Sequence, residues 1–436
     1  MLLCFSVENF LSFNEKEVFS LNAGKGRMFN ERVYTDGKNK ILKFSAVFGA
    51  NGSGKTNLVK AVSFAQQMII QGIKNASSNS YFKLDETRIN TPSKFEFKLL
   101  LDGRTYSYGF SILLSTNQIF SEWLFDDSTK TRKTIFYRDI NNSTSIIDEY
   151  FSNKELNNML KVYADGIKSN SEKLILNVLN DYNNIFDEYP ESRIIKKIYD
   201  WFKLKLRIIS PYDIVNNYTY LSSEKFDQIV KLFDKFGFSI TDYKMVNCSF
   251  NSISSRIPKA IYDNIINDIT NSFNNPKTKI RESVIGINTE LFLITKPKDE
   301  LVCQTIQFYH DNYPVPFSLS EESDGTLRIL KLIEILLQKD NEIVYFVDEI
   351  DRCLHAKLTY SFIKEFLNTA ITTNNQLVVT THETVLLDYN LLRKDEMWFV
   401  EKQQGASHLL PLGATQERAD KKIVKSYLLD TLKITK

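Results

Sequence analysis

The first third of the chain carries its apolar residues in short runs of strand length. Runs at 94–101 and 104–113 are joined by an Asp-Gly dipeptide, which favours a tight hairpin. Two more runs, at 118–125 and 133–138, predict a second hairpin. The pattern therefore predicts an antiparallel β-meander in this part of the chain.

The middle of the chain changes to a helical pattern. From about residue 154 to 273, apolar residues recur three and four positions apart, the spacing of one helix face. The predicted helices cover 172–179, 192–206, 223–236 and 259–273. Prolines interrupt the pattern and no heptad repeat is long enough for an extended coiled coil, so this block predicts a helical lid or arm. Strand patterns return at 283–287, 290–295 and 301–310.

A glycine-rich octapeptide stands between the apolar run 41–48 and a helical pattern at 57–68. It fits G-x-x-x-x-G-K-[ST], the phosphate-binding loop, in the strand–loop–helix setting that this motif requires. Its backbone N–H groups and the helix N-terminus favour a triphosphate; Lys55 would neutralise the β- and γ-phosphates, and Thr56 would hold Mg²⁺. The sequence therefore predicts an ATP and Mg²⁺ site. Its residues are Gly49, Ala50, Asn51, Gly52, Ser53, Gly54, Lys55 and Thr56.

Two later strand patterns end in polar residues that suit ATP hydrolysis. The apolar run that starts at residue 342 ends in Asp348 and Glu349, and the run from 377 ends in Thr-Thr-His with His382. Asp348 would act on Mg²⁺ through its water shell, and Glu349 would polarise the attacking water as general base. His382 would hydrogen-bond the γ-phosphate or the attacking water and sense the nucleotide state.

The segment 323–328, Ser-Asp-Gly-Thr-Leu-Arg, opens a predicted helix. A serine hydroxyl, bare backbone N–H groups and the helix dipole together make an anion site, which would involve Ser323 and Gly325. An ordinary N-cap formed by Ser323 or Asp324 explains the same residues. The position just before the strand that ends at Asp348 favours the anion site.

Composition and charge narrow the class of protein. The chain has 436 residues, enough for two or three domains, and a net charge of +2, which excludes a generally basic protein that coats nucleic acid. The cysteines are spread over four segments without a C-x-x-C pair, so a zinc site or disulfide framework is not expected. The N-terminus lacks a signal-peptide pattern and no apolar run reaches the length of a membrane span, so we expect a cytoplasmic protein.

Taken in order, these motifs resemble the ABC-type ATPases of the SMC and RecF kind, and more closely the AAA-15/OLD-like group of bacterial ATPases. The resemblance covers roughly residues 1–140 and 280–410. The motifs that carry it are Asn9-Phe10-Leu11-Ser12-Phe13, the phosphate-binding loop, Glu321-Glu322-Ser323-Asp324-Gly325-Thr326-Leu327-Arg328, the segment from Val347 to His355, and Thr380-Thr381-His382.

The resemblance implies an α/β P-loop NTPase of ABC-ATPase type, with a mixed sheet, an N-terminal antiparallel β-meander and a helical insertion. The expected domains are residues 1–145 and 281–436 for the two halves of the ATPase core and 146–280 for the insertion. Two heads would dimerise face to face, with ATP on one phosphate-binding loop capped by Ser323 and Gly325 of the other copy. Gln118, from its place in the meander, is the candidate for the glutamine that senses Mg²⁺. The usual C-terminal tail with glycine and proline is not recognisable at 427–436.

Relatives of this group often serve bacterial anti-phage or abortive-infection systems, in which the ATPase holds or releases a toxic effector. The resemblance therefore implies a homodimer or larger homo-oligomer, a separate effector such as a TOPRIM-type nuclease or an RloB-like protein, and a DNA or phage-protein trigger. A self-contained nuclease is disfavoured because only about fifty residues follow His382, too few for a TOPRIM module. The alternative is an SMC/RecF-like ATPase of DNA repair or chromosome maintenance, which predicts a coiled coil or a basic groove. A transporter head is the least favoured of these classes.

Overall fold

The computed structural model describes residues 1–414 apart from 27, 74–78, 141, 143, 147–148, 182–183, 212–225, 276–281, 288–289, 298–299 and 339. The chain forms two compact units. The first comprises the described parts of Met1–Ser210, Asp340–Asp351 and Leu367–Lys436, and the second those of Pro211–Lys339 and Arg352–Phe366.

The first unit contains a seven-stranded antiparallel sheet in the order β10-β9-β8-β7-β6-β1-β2. Its strands are β1 (Leu2–Glu8), β2 (Glu17–Ser20), β6 (Ser93–Leu101), β7 (Arg104–Leu113), β8 (Gln118–Asp126), β9 (Lys133–Asp139) and β10 (Thr144–Ile146). The turn between β6 and β7 is made by Asp102 and Gly103, both with positive φ (50° and 73°), as a tight hairpin requires. The predicted meander is confirmed, and its four strands agree with β6 to β9 to within one residue at each end.

The second sheet of this unit is six-stranded, in the order β11-β17-β18-β5-β19-β20, and carries the phosphate-binding loop. Its strands are β5 (Phe44–Phe48), β11 (Leu206–Ile209), β17 (Val344–Val347), β18 (Gln376–Thr380), β19 (Met397–Gln403) and β20 (Ala406–Pro411). All neighbours are parallel except β19 and β20. Because parallel strands present their carboxyl ends at one edge, the sheet gathers residues from distant parts of the chain there.

The run 41–48 is not one strand, as predicted, but two. A hairpin of β3 (Val33–Asp36) and β4 (Asn39–Leu42) ends before Lys43, and β5 begins after it. Lys43 is buried, and its ammonium donates to the carbonyl oxygens of Ala370 (2.8 Å) and Thr373 (2.7 Å). The need to satisfy this charge explains the break, because a lysine inside a buried strand would have no such partners.

The helices of the first unit are α1 (Lys55–Gln71), α2 (Lys154–Ile167), α3 (Ile175–Asp181), α4 (Asn184–Glu188) and α5 (Arg193–Asp200), which continues as a π-helical turn, Trp201–Lys205. Apolar side chains of α2, α5 and the π turn share one hydrophobic core with β1 and α1. The residues between 154 and 205, expected in the insertion, thus pack with the ATPase core. The boundaries of the two compact units thus differ from the predicted domain boundaries at residues 145 and 280. The three-domain division stays a prediction.

The second unit is built on an antiparallel sheet in the order β12-β15-β14-β13, with β16 also paired to β15. Its strands are β12 (Ile240–Asn247), β13 (Glu282–Ile287), β14 (Glu290–Thr295), β15 (Val302–His310) and β16 (Pro316–Ser318). Its helices are α6 (Phe226–Lys235), α7 (Asn251–Ser254), α8 (Lys259–Asn274) and α9 (Asp324–Leu337), and α10 (Ala356–Thr369) begins in it. Short 3₁₀ turns elsewhere in the chain cover Asn30–Arg32, Glu86–Asn90, Pro190–Ser192, Leu319–Glu321, Thr384–Leu386, Lys394–Glu396 and Leu412–Ala414.

The helical pattern predicted for about residues 154–273 does not hold at β11, nor at the longer strand β12. This strand pairs with β15 along its whole length, yet it buries only Ile240 and Tyr243, three residues apart. That spacing is typical of a helix face and lacks the alternation of a half-buried strand, so periodicity could not reveal the strand. The start of the helix predicted at 223–236 and the tail at 427–436 lie outside the described residues.

The prediction of an α/β P-loop fold with an antiparallel meander is confirmed. Within the described ranges, no helix combines the length and the apolar character needed to cross a membrane. All four cysteines are free thiols, and Cys248 and Cys303 lie close together, with 3.2 Å between their sulfur atoms.

Candidate functional site

The phosphate-binding loop joins the carboxyl end of β5 to the first residue of α1. Gly54 caps the helix with φ of 114°, a conformation open to glycine but strained for other residues. A Cβ at this position would also lie 2.2 Å from Ser407 Oγ and 2.8 Å from Ser12 Oγ. Both backbone conformation and space therefore demand glycine here.

The hydroxyls of Ser12 and Ser407 form hydrogen bonds that hold the phosphate-binding loop in place. Ser407 Oγ donates to the carbonyl oxygen of Ser53 (2.5 Å) and lies 2.7 Å from Ser12 Oγ. The amide of Asn57 in α1 donates to the same Ser12 Oγ at 2.7 Å. The loop is thus fastened to β20 and to the segment after β1. Ser12 lies in a motif that the sequence singled out, whereas no sequence signal marked Ser407.

Lys55 is 5% exposed and points back over the loop. Its ammonium donates to the carbonyl oxygens of Gly49 (2.7 Å) and Ala50 (3.1 Å) and lies 3.4 Å from Nδ1 of His382. Burial lowers the pKa of Lys55 to about 8, although the nearby carboxylates, Asp351 foremost, oppose this shift. Both carbonyl oxygens are neutral partners, so the Lys55 ammonium would bind an anion more strongly than it binds them.

Asp348 follows the carboxyl end of β17 and is 3% exposed. Its Oδ1 accepts hydrogen bonds from Thr380 Oγ1 (2.6 Å) and from Thr56 Oγ1 (3.3 Å). Thr380 Oγ1 in turn accepts from the backbone N–H of Glu349 at 2.8 Å. Thr380 therefore fixes both carboxylate residues. It lies in the Thr-Thr-His motif of the sequence analysis but was not predicted as a site residue.

Glu349 and His382 complete the edge of the sheet. Glu349 has a positive φ of 46°, an uncommon conformation for this residue that turns the chain sharply at the end of the strand. The backbone N–H of His382 donates to Oδ2 of Asp351 at 3.2 Å, and the imidazole is exposed. Asp351 thus connects the loop after β17 to the loop after β18.

The residues present fit ATP with Mg²⁺. Thr56 and Asp348 place a hydroxyl and a carboxylate together, the hard oxygen ligands that Mg²⁺ takes alongside water and phosphate. Ser53 Oγ and Asp351 Oδ1 are buried at this edge and have no hydrogen-bond partner among the described residues. Within the same residues no cluster of three or more His, Cys, Asp or Glu side chains forms an all-protein metal site.

A pocket of about 340 Å³ adjoins the start of α1. Ser12 and Asn57 line it on the side of the phosphate-binding loop, and Tyr81, Lys402 and Gly405 line it elsewhere. Its lining combines an aromatic ring, a cation and amide groups. These groups suit the flat base and the ribose of a nucleotide.

The remaining predicted site residues are Ser323, Gly325 and Gln118. Ser323 and Gly325 belong to the second unit. Ser323 is the N-cap of α9, and its Oγ accepts from the N–H of Thr326 at 3.1 Å. The structure therefore shows Ser323 as an N-cap, and the anion site at Ser323 and Gly325 stays a prediction. Gln118 is exposed at the start of β8, where its Oε1 accepts from Thr116 Oγ1 at 3.2 Å. Gln118 takes part in none of the contacts described above. Its role as a magnesium ligand therefore also stays a prediction.

A family model described as an AAA domain, putative AbiEii toxin, Type IV TA system matches residues 44–388, more than three quarters of the chain. The chain belongs to this AAA-domain family. The match includes the phosphate-binding loop, Asp348, Glu349 and His382. The narrower AAA-15/OLD-like assignment is not part of this finding.

Three solved SMC head domains are similar to this member of the AAA-domain family, with sequence identities of 13 to 14%. The head bound to the C-winged helix domain of ScpA has 13% identity and a TM-score of 0.45, covering 94% of this chain and 97% of that chain. The SMC head domain from Thermotoga maritima has 14% identity and a TM-score of 0.34, covering 94% and 98%. An Smc head with an extended coiled coil, bound to the C-terminal domain of ScpA derived from Pyrococcus furiosus, has 14% identity and a TM-score of 0.39, covering 94% and 95%. No curated protein matches the chain.

The lowered pKa of Lys55 predicts that nucleotide binding by this AAA-domain protein depends on pH. Its pKa is lowered to about 8 by burial, so in the free protein the ammonium loses its proton as the pH rises through that value. A triphosphate favours the charged form and raises the pKa of Lys55 in the complex. We therefore expect full ATP affinity below about pH 8 and a fall of up to about tenfold per pH unit above it.

Titrations with a fluorescent ATP analogue from about pH 6.5 to 9.5 measure this dependence. The matched variant is Lys55→Arg, whose guanidinium keeps its charge throughout that range and should give a flat profile at lower affinity. A wild-type profile as flat as that of the arginine variant contradicts the prediction.

Proposed function

We propose that this protein is an ATP-driven switch: ATP closes two copies face to face, hydrolysis reopens them, and the change of shape holds or releases a separately encoded effector in anti-phage defence. One observation supports the ATPase part above all. Lys55, Thr56, Asp348 and His382 are far apart along the chain, yet direct contacts join Lys55 to His382 and Thr56 to Asp348 at one edge of one sheet.

Each residue at this edge has a place in phosphoanhydride hydrolysis. When bound, Mg²⁺ neutralises charge that develops on the β- and γ-phosphates, and Thr56 and Asp348 would hold it. Lys55 would exchange its two carbonyl partners for phosphate oxygens, a stronger interaction between opposite charges. The loop N–H groups and the N-terminus of α1 add donors aimed at the same phosphates.

Glu349 would act as the general base toward the attacking water. Its backbone N–H is tied to Thr380, so the carboxylate leaves the strand from a fixed position beside Asp348. His382, 3.4 Å from Lys55, would hydrogen-bond the γ-phosphate or the same water. The pocket beside Asn57 and Ser12 would take the nucleoside, next to the start of the phosphate-binding helix.

The second copy would complete the site through Ser323 and Gly325. Ser323 Oγ accepts a hydrogen bond from the N–H of Thr326 and lies 2.9 Å from Thr326 Oγ1. With the Thr326 hydroxyl as donor in that contact, the Ser323 hydroxyl would donate to a phosphate oxygen. Gly325 has no side chain and stands in the first turn of α9, where the helix dipole favours an anion. ATP would thus act as the adhesive between the two heads.

The defence context rests on the family and on the resemblance. The family description names a putative AbiEii toxin and a Type IV TA system. The motifs resemble the AAA-15/OLD-like group, whose ATPases work with toxic effectors. We therefore propose a TOPRIM-type nuclease or an RloB-like protein as partner, and a DNA or phage-protein trigger that alters the ATP cycle.

A complementation experiment tests the shared ATP sites. Lys55→Ala should abolish ATP binding, and Ser323→Arg should retain binding but fail to cap the ATP of the other copy, so neither variant should hydrolyse ATP alone. In a mixed dimer, the intact phosphate-binding loop of the Ser323→Arg copy faces the intact Ser323 of the Lys55→Ala copy. An equimolar mixture should then recover roughly a quarter of the wild-type rate, because half of the dimers carry one good site out of two.

The outcome shows whether two copies must close on each other to hydrolyse ATP or whether a single copy hydrolyses it alone. Phosphate release is measured for each variant and for the mixture over a range of protein concentrations. No recovery in the mixture, or wild-type hydrolysis by Ser323→Arg, contradicts the face-to-face arrangement. For the effector, the product of the neighbouring reading frame is co-expressed, and its co-purification should differ between the wild type with ATP and Lys55→Ala.

A further inference from the structure

The turn that precedes α9 is fastened to the five-stranded sheet of the second unit. Ser320 Oγ donates to Oε1 of Glu290, the first residue of β14, at 2.6 Å. The side chain of Glu322 lies 2.7 Å from Nε2 of His310, the last residue of β15. Two neighbouring strands therefore hold the turn whose next residue is Ser323.

His310 links three segments of the second unit. Its Nδ1 lies 2.9 Å from Oγ of Ser239, just before β12, while its Nε2 faces Glu322. An ionised carboxylate only accepts hydrogen bonds, so Nε2 must be the donor toward Glu322. The ring of Phe317 in β16 meets the imidazole edge to face, with 5.1 Å between centroids. The imidazole is thereby held in one orientation from both sides.

Glu322 has little freedom of its own. Its side chain is 4% exposed, so water has little access to the carboxylate. The hydrogen bond with His310 takes the place of that water, and loss of the imidazole would remove this partner from a buried carboxylate. The peptide bond after Glu322 leads directly to Ser323, the N-cap of α9. A shift of the Glu322 side chain is therefore passed to Ser323 without an intervening flexible residue.

The far side of the helix start is closely packed as well. A Cβ on Gly325 would lie 3.1 Å from the carbonyl oxygen of Cys353, so the first turn of α9 already touches that backbone. The N-terminus of α9 is thus placed between the Cys353 backbone on one side and the His310–Glu322 link on the other. Loss of the link frees the helix start on one side only.

We infer that His310 is a positioning residue for hydrolysis: with Ser239 it fixes Glu322, and through it the Ser323 and Gly325 groups that would face the ATP of the other copy. This inference rests on the proposed function. Because His310 ends β15, a strand paired with β12, β14 and β16, it makes the five-stranded sheet the part of the second unit that sets the hydrolysis rate. A trigger or effector that deforms this sheet would change the rate without touching the phosphate-binding loop.

The chemistry of the link allows a sharp set of variants. His310→Ala removes the donor, and we expect the kcat for ATP to fall about tenfold while the KM and the affinity for an ATP analogue stay within about twofold of the wild type. His310→Gln keeps an N–H donor that can reach a carboxylate, and should restore most of the kcat. In a Glu322→Ala background, His310→Ala should cause little further loss, because its partner is already gone.

Asp242→Asn is the matched control. Asp242 lies in β12 of the same sheet, three residues after Ser239, but pairs with Lys244 at the surface. Its replacement should leave kcat and KM unchanged. Thermal unfolding of all variants is measured in parallel, and kcat is compared at a temperature where every variant is folded. Only His310→Ala, Glu322→Ala and their combination should then show a low kcat.

The results distinguish this inference from the proposed function. If Ser323→Arg abolishes hydrolysis while His310→Ala keeps the wild-type kcat, the positioning role is overturned and the switch stands. The role is equally overturned if the His310 and Glu322 effects multiply, if glutamine fails to rescue, or if the KM changes with the kcat. If Ser323→Arg itself hydrolyses ATP normally, the face-to-face function has failed.

Discussion

Replacing Glu349 by glutamine is expected to leave ATP binding intact and to slow hydrolysis about a hundredfold or more. The amide has the size of the carboxylate but cannot take a proton from the attacking water. The backbone N–H of Glu349 would still donate to Thr380 Oγ1, so the turn with positive φ and the position of Asp348 should be preserved. The variant would therefore bind ATP, close and fail to reopen.

Two measurements on the Glu349→Gln variant check this. Phosphate release gives the rate, and light scattering after size-exclusion chromatography gives the mass with and without ATP and Mg²⁺. We expect a stable dimer with ATP only, and no such dimer for Lys55→Ala. Glu282→Gln, at the exposed start of β13, is the control for a changed carboxylate outside the site and should behave as the wild type. Turnover by Glu349→Gln at the wild-type rate would show that another group accepts the proton.

The phosphate-binding loop and the three strand ends could be predicted because their signals are local. The octapeptide lies between β5 and α1, as its pattern requires, and the strands before Asp348 and His382 are short, apolar and buried on both faces. Parallel pairing of β17, β18 and β5 then brings their carboxyl ends together without further sequence information.

Contacts between distant residues could not be predicted in this way. Ser407 supports the loop from 354 positions away, and nothing in its own neighbourhood distinguishes it from any serine in a strand. Cys248 and Cys303 are neighbours only because β12 pairs with β15, which the periodicity of β12 concealed. The division of the helical middle depended on which core its apolar faces join, and a periodic pattern does not show this.

Replacing Arg138 by methionine is expected to lower the free energy of unfolding by about 3–5 kcal/mol. Arg138 in β9 and Glu122 in β8 form a salt bridge of 3.2 Å with both side chains 0% exposed. The guanidinium also donates to the carbonyl oxygens of Ile167 (2.9 Å), Asn170 (2.9 Å) and Lys173 (2.7 Å). Methionine fills the space but leaves a buried carboxylate and three carbonyl groups without their donor.

Urea unfolding of the wild type and the variant measures the loss. The control is Lys197→Met, which removes an ion pair with Asp102 at the surface, where both side chains are more than half exposed. Exposed pairs contribute little, so this variant should stay within about 1 kcal/mol of the wild type. Equal losses for the two variants would contradict a special role of the buried pair.

A double variant tests whether Arg138 and Glu122 stabilise only each other or also hold the backbone of residues 167–176 in place. Where two charges serve only each other, replacing both by apolar residues often recovers the lost stability. Here Glu122 also accepts from the N–H groups of Ile175 (2.6 Å) and Leu176 (3.1 Å) at the start of α3, so the two side chains together satisfy five backbone groups between residues 167 and 176. Glu122→Leu with Arg138→Met should therefore be no more stable than Arg138→Met alone. Recovery in the double variant would mean that the segment 167–176 finds other partners, and that the pair does not hold it against the meander.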